Sequence, residues 1–151
     1  MKLTDILGPG CVKVPLAATT KEAAIGELID LLDADELLTD RDQMLRAVLD
    51  REATRTTGIG HGLAVPHGKA HACNRLVMAV GKPAEPIDFQ SIDKQPVKVI
   101  VLLASPPDQT GPHIQALARI SRLMTMENFR NAIFRASSSA ELYGIIAGHE
   151  G

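Results

Sequence analysis

Val97-Lys98-Val99-Ile100-Val101-Leu102-Leu103-Ala104, closed by Ser105-Pro106-Pro107-Asp108, is the stretch on which the fold turns. Alternation in it is weak and nearly every residue is apolar, the pattern of a strand buried on both faces. Such a strand needs cover above and below its sheet, which predicts helices packed on both sides. Working outward toward the C-terminus, Gly111-Pro112 resembles a helix start with proline at the first helical position. His113, Leu117, Ile120 and Met124 then share one face of the helix that follows. Glu127 to Arg135 predicts a further short helix, and Ser138 with Glu141 boxes a last one through Ile146. Toward the N-terminus, Pro83 to Ile87 reads as a turn and Leu76 to Val80 as a strand. In Cys11 to Leu16, Val12, Val14 and Leu16 alternate as a short strand that ends at a proline-containing edge. Thr19 and Glu22 have capping-box spacing ahead of Ile25, Leu28, Ile29 and Leu32. Asp40 and Gln43 repeat that spacing before Met44, Leu45, Val48 and Leu49, a second helix that should end near Arg51. Strict alternation of strand and helix is absent. The expectation is an α/β sandwich of one domain over residues 1–151, a mixed central sheet with helices on both faces.

The whole chain suits one domain: 151 residues, 45% hydrophobic and 23% charged, are ordinary globular values. Sixteen basic against eighteen acidic residues leave a net charge of −2, with no basic stripe for a nucleic acid. Three Phe, one Tyr and no Trp provide few stacking platforms for single strands. Cys11 and Cys73 lie far apart and predict structural thiols in a reducing compartment. Met1 to Asp5 carries an acid and lacks the apolar core of a signal peptide. Val99 to Ala104 is far short of the roughly 20 apolar residues that span a bilayer, so a cytoplasmic location without membrane insertion is expected.

The stretch richest in chemistry runs from Arg51 to Lys69. Gly58, Gly60, Gly62, Pro66 and Gly68 leave no room for a helix between residues 56 and 68, and Leu63-Ala64-Val65 fits a short strand inside that loop. Glycines at alternate positions either expose backbone N–H groups to an anion or simply form a hairpin. The spacing matches neither a dinucleotide fingerprint nor a Walker loop. His67, between Pro66 and Gly68, is presented on a rigid segment with open access. A neutral imidazole there is a good phosphoryl acceptor near neutral pH. His113 opens a helix on its apolar face, and a histidine so placed either bonds an oxyanion or is a satisfied core residue. Arg51 ends a helix beside the loop, where a guanidinium clamps phosphoryl oxygens or partners the helix dipole. Thr57 offers a hydroxyl to the same group or makes a turn. His61, His67 and His71 have no acidic partner nearby, only Cys73, which argues against zinc. Ser91 and Ser105 lie outside the G-x-S-x-G motif of a hydrolase.

Arg51-Glu52, Thr57-Gly58-Ile59-Gly60 and Gly62-Leu63-Ala64-Val65-Pro66-His67 together resemble the IIA component of the bacterial phosphoenolpyruvate-dependent phosphotransferase system, of the fructose/mannitol type that includes the nitrogen-regulatory IIA proteins. Leu3 to Leu7, Ile87-Asp88-Phe89 with Asp93, Val97 to Ala104, His113 with Leu117-Ala118, and Ala140 to Tyr143 resemble the family in the same order. The resemblance implies phosphorylation of His67 at Nε2. It also implies contact of His113 and Arg51 with the phosphoryl group, and phosphoryl binding by Thr57, Gly58 and Gly60. Ile114 stands where the family often has leucine. The resemblance further implies no cofactor and no metal, a histidine-containing phosphocarrier protein as donor, and either a IIB protein or a regulatory target as the next partner, all as separate proteins. Thr57-Gly58-Ile59-Gly60 and His67-Gly68-Lys69 look more like the nitrogen-regulatory branch; the resemblance implies a phosphocarrier in a sugar-uptake or nitrogen-regulatory branch, with a regulatory protein-binding module switched by His67 phosphorylation, without sugar transfer, as the alternative.

Overall fold

A computed structural model describes residues 1–149; the last two residues of the expected 1–151 domain lie outside the described residues. The chain forms β1 (Val12–Leu16), α1 (Lys21–Ala34), α2 (Arg41–Thr54), β2 (Gly58–Gly60), β3 (Leu63–Ala64), β4 (His67–Lys69), β5 (Val77–Pro83), β6 (Val99–Ser105), α3 (Thr110–Met124), α4 (Glu127–Arg135) and α5 (Ser139–Gly148). The sheet runs in the order β1-β5-β6-β3-β2, with β4 also paired to β6. It is mixed, as expected: β5 and β6 are antiparallel, whereas β1 lies parallel to β5. β3 and β4 both run parallel to β6 along the same edge, Leu63 opposite Val99 and His67 opposite Leu103. They are one strand interrupted at Pro66, which has no N–H for the ladder but whose carbonyl still accepts from Leu103 N at 3.0 Å.

All seven residues of β6 are buried. Val99 and Val101 meet Ile120, Leu123, Phe129, Ile133, Leu142 and Ile146 from α3, α4 and α5. The opposite face is covered by α1 and α2, which pack on each other and on β5 and β4. At Gly68 the approach is closest. A Cβ there would lie 2.9 Å from the Val48 backbone nitrogen, so only glycine lets α2 sit on β4. Since side chains alternate along a strand, His67 and Lys69 project to the other face, under α3.

The element order follows the sequence reading, and the boundaries differ for local reasons. Thr20 caps α1 in place of Thr19: its backbone is extended (φ −124°, ψ 159°) and its side chain accepts from Ala23 N. Asp40 and Ser138 cap α2 and α5 as expected. α2 continues one turn past Arg51 to Thr54. Cys11 closes a 3₁₀ turn, and the strand starts at Val12. β5 extends to Pro83, beyond the expected end at Val80. α3 starts at Thr110, so Pro112 is its third residue and not its first. The first N–H groups of a helix have no intrahelical acceptor, so proline is accommodated there equally well. The glycine loop is more ordered than expected. His61 (φ 56°) and Gly62 (φ 77°) form the two-residue turn of a β2–β3 hairpin, with positive φ at both positions as a primed turn demands.

Candidate active site

β4, α2 and α3 bring His67, Arg51 and His113 together. Two shallow clefts, of about 310 and 450 Å³, meet at His67, and both are bordered by Arg51 and Leu117. Nδ1 of His67 lies 2.8 Å from the Val65 carbonyl oxygen. A carbonyl only accepts, so Nδ1 carries the proton and Nε2 keeps a free lone pair. Burial holds the His67 pKa below its usual value, helped by the positive charges of Arg51 and Lys69; the bond to Val65 and the nearby Glu52 oppose this. At neutral pH the ring is therefore uncharged and nucleophilic at Nε2.

A run of hydrogen bonds fixes that ring from behind. Glu52, buried in α2, accepts from the Lys21 ammonium at 3.0 Å, from Thr57 N at 2.9 Å and from the Thr57 hydroxyl. The Thr57 carbonyl accepts from Val65 N at 3.0 Å, and the Val65 carbonyl accepts from His67. Each residue is held by the one before it, from Lys21 on α1 to the imidazole.

His113 is 2% exposed, and its ring stands edge-on to that of His67 with centroids 5.3 Å apart. Its Nδ1 is 3.0 Å from the Ser105 hydroxyl, while Nε2 is buried with no hydrogen-bond partner among the described residues. An unpaired buried polar atom of this kind costs about 1–3 kcal/mol. Burial pushes its pKa down to about 4, with repulsion from His67 in its protonated form and from Lys69 as lesser causes. Arg51 donates from Nη1 to the Arg55 carbonyl at 2.9 Å and borders both clefts. Lys69 reaches across to the Thr110 hydroxyl at 3.2 Å and adds a second positive charge. Together these groups set positive charge and hydrogen-bonding nitrogens around the uncharged His67 ring, an arrangement that suits an anion.

Three expected phosphoryl ligands stand differently. The Thr57 hydroxyl is committed to Glu52, which makes Thr57 part of the support. Gly58 N–H is taken by the Thr56 hydroxyl, and neither Gly58 nor Gly60 borders the clefts. Gly58 is glycine because Ser91 packs on it: a Cβ would come within 2.2 Å of the Ser91 oxygen. Glu52, Lys69 and Ser105 had no assigned role in the sequence. Glu52 directly follows Arg51 and Lys69 stands two residues after His67, and that proximity is the signal the sequence offers. Nothing in the sequence linked Ser105 to His113. His61 occupies the hairpin turn and His71 is exposed, so neither joins His67.

A family model described as "Phosphoenolpyruvate-dependent sugar phosphotransferase system, EIIA 2" matches residues 5–149. The chain belongs to the EIIA 2 family. It is 33% identical, over 100% of its own length and 93% of the relative's, to a nitrogen regulatory protein of Escherichia coli. It is 32% identical to the fructose-specific EIIABC component of Bacillus subtilis, matching over 99% of its own length but only 24% of that longer protein. Among solved structures, the nitrogen regulatory protein IIA-Ntr of Neisseria meningitidis has the same fold, with a TM-score of 0.86 and 24% identity over 95% of this chain and 98% of that one. This EIIA 2 chain is thus a phosphotransferase-system component by family, similar to both regulatory and sugar-specific relatives. No helix among the described residues is long and apolar enough to cross a membrane.

Proposed function

We propose that the chain is a phosphoryl carrier in which Nε2 of His67 accepts a phosphoryl group from a phosphohistidine donor protein. The observation that carries this reading is the Nδ1–H bond to Val65, which leaves Nε2 as the free lone pair in a cleft bordered by Arg51, Lys69 and His113. In the transfer, the Nε2 lone pair attacks phosphorus in line. An N–P bond forms on His67 as the donor's N–P bond breaks, its electron pair returning to the donor imidazole. The proton on Nδ1 stays in place, so the phosphorylated ring is cationic and the Val65 carbonyl stabilises it. Arg51 and His113 donate to the equatorial oxygens. No metal, nucleotide or other cofactor has a part in these steps, because the donor group is already activated.

Ile92 and Ile114 are 60% exposed and Ile59 45%, and all three border the two clefts. An apolar rim around a charged centre suits transient burial against a donor. The test is incubation with phosphoenolpyruvate, the general phosphotransferase enzyme and its histidine-containing carrier, followed by intact mass. The wild-type chain should gain one acid-labile phosphoryl group and His67→Ala none; an undiminished acid-labile gain on His67→Ala would refute the assignment. The onward step distinguishes the two branches: passage to a IIB cysteine is the sugar-uptake role, and retention with altered protein contacts is the regulatory one. Relatives of both kinds match at nearly equal identity.

A further inference from the structure

Ser105 ends β6 and is wholly buried, in register with Lys69 and so on the same sheet face as His67. Its hydroxyl lies 3.0 Å from Nδ1 of His113, and Nε2 of that ring has no hydrogen-bond partner among the described residues. A neutral imidazole can fill this arrangement in two ways. If Nδ1 held the proton and donated to Ser105, two groups would be unsatisfied: the buried serine hydrogen and the Nε2 lone pair. If Ser105 donates to Nδ1, the hydroxyl hydrogen is satisfied and a single donor, Nε2–H, remains open. Buried polar groups resolve toward fewer orphans, which selects the second arrangement.

We propose that Ser105 is a positioning residue: its hydroxyl donates to Nδ1 of His113, holds the ring proton on Nε2, and makes His113 a hydrogen-bond donor to the anion carried by its neighbour His67. The opposite tautomer would turn a lone pair toward that anion and repel it. This role deepens the phosphocarrier reading and rests on it. The low pKa of His113 agrees, since a ring that stays neutral donates only from the nitrogen its tautomer selects. The Ser105–His113 pair also spans the sharp Pro106-Pro107 connection, joining the last residue of the central strand to the first turn of α3.

Nitrogen-15 spectroscopy of histidine-labelled protein reads the tautomer directly and without any donor. The unphosphorylated wild type should show His113 protonated at Nε2 and bare at Nδ1, and Ser105→Ala should shift the ring toward a mixture. In single-turnover transfer from the phosphorylated carrier, Ser105→Ala should be slowed about tenfold at saturating donor, the size of one neutral hydrogen bond, with half-saturation unchanged. A wild-type ring protonated at Nδ1, or a Ser105→Ala chain with wild-type tautomer and rate, overturns the proposal. A wild-type chain that takes up no phosphoryl group refutes the carrier reading, and the nitrogen spectrum still decides what Ser105 does.

Discussion

Two imidazoles with lowered pKa values, His113 buried and His67 half-buried, set the acid response of this site at the residue scale. His113 takes a proton near pH 6.5 in the unfolded chain but only at about 4 when folded. Between those values the unfolded state binds the extra proton, so acid favours unfolding: stability is intact above pH 6.5 and declines as the pH falls to 4. The loss has an upper size of about 3 kcal/mol. Urea unfolding of the wild type at pH 7 and pH 5 should show it, and His113→Gln, which does not titrate, should flatten the slope. The lowered pKa of His67 acts in the same direction and keeps that ring neutral below its usual range. Arg51 makes a different prediction. Arg51→Lys keeps the charge and loses the planar fork, so phosphorylation should slow about tenfold or more while thermal melting is unchanged. Wild-type rates would mean that Arg51 only ties the end of α2 to Arg55.

Between elements, the decisive contact is α2 against β4. His67 is brought under α3 because Gly68 turns its bare Cα toward Val48. Gly68→Ala should therefore cost about 1–3 kcal/mol in denaturant unfolding, since backbone atoms must move to admit the methyl group. An unchanged midpoint would show that the two elements separate easily. Caps and apolar spacing made α1, α2, α4 and α5 legible in the sequence, because those signals are local. The strands β2 and β4 were not legible. Gly58–Gly60 and His67–Lys69 have low strand propensity and are extended only because β3 and β6 supply hydrogen-bond partners from elsewhere in the chain.

Over the whole molecule, the apolar rim is a product of assembly. Ile59 comes from the β2–β3 hairpin, Ile92 from the loop before β6, and Ile114 from α3, yet they border one region around His67. Replacing Ile92 and Ile114 together by Asp should raise the donor concentration for half-maximal phosphorylation about tenfold and leave melting unaltered. Equal half-saturation would place the donor elsewhere. The α/β class, the helix order and the candidate residues His67, His113 and Arg51 were all readable from residue types and their spacing. A double-faced apolar strand, a capping pair and a Pro-His-Gly segment each act over a few residues. Tertiary structure alone decided what those residues bond to. It set the Thr57 hydroxyl against Glu52 and the Gly58 N–H against the Thr56 hydroxyl, and it joined Lys21, Glu52, Thr57 and Val65 into the run that fixes the His67 tautomer. It also set Ser105 against His113. Hydrogen bonds are short-ranged and directional, so which donors meet which acceptors is settled only when distant segments pack, and no local spacing encodes it.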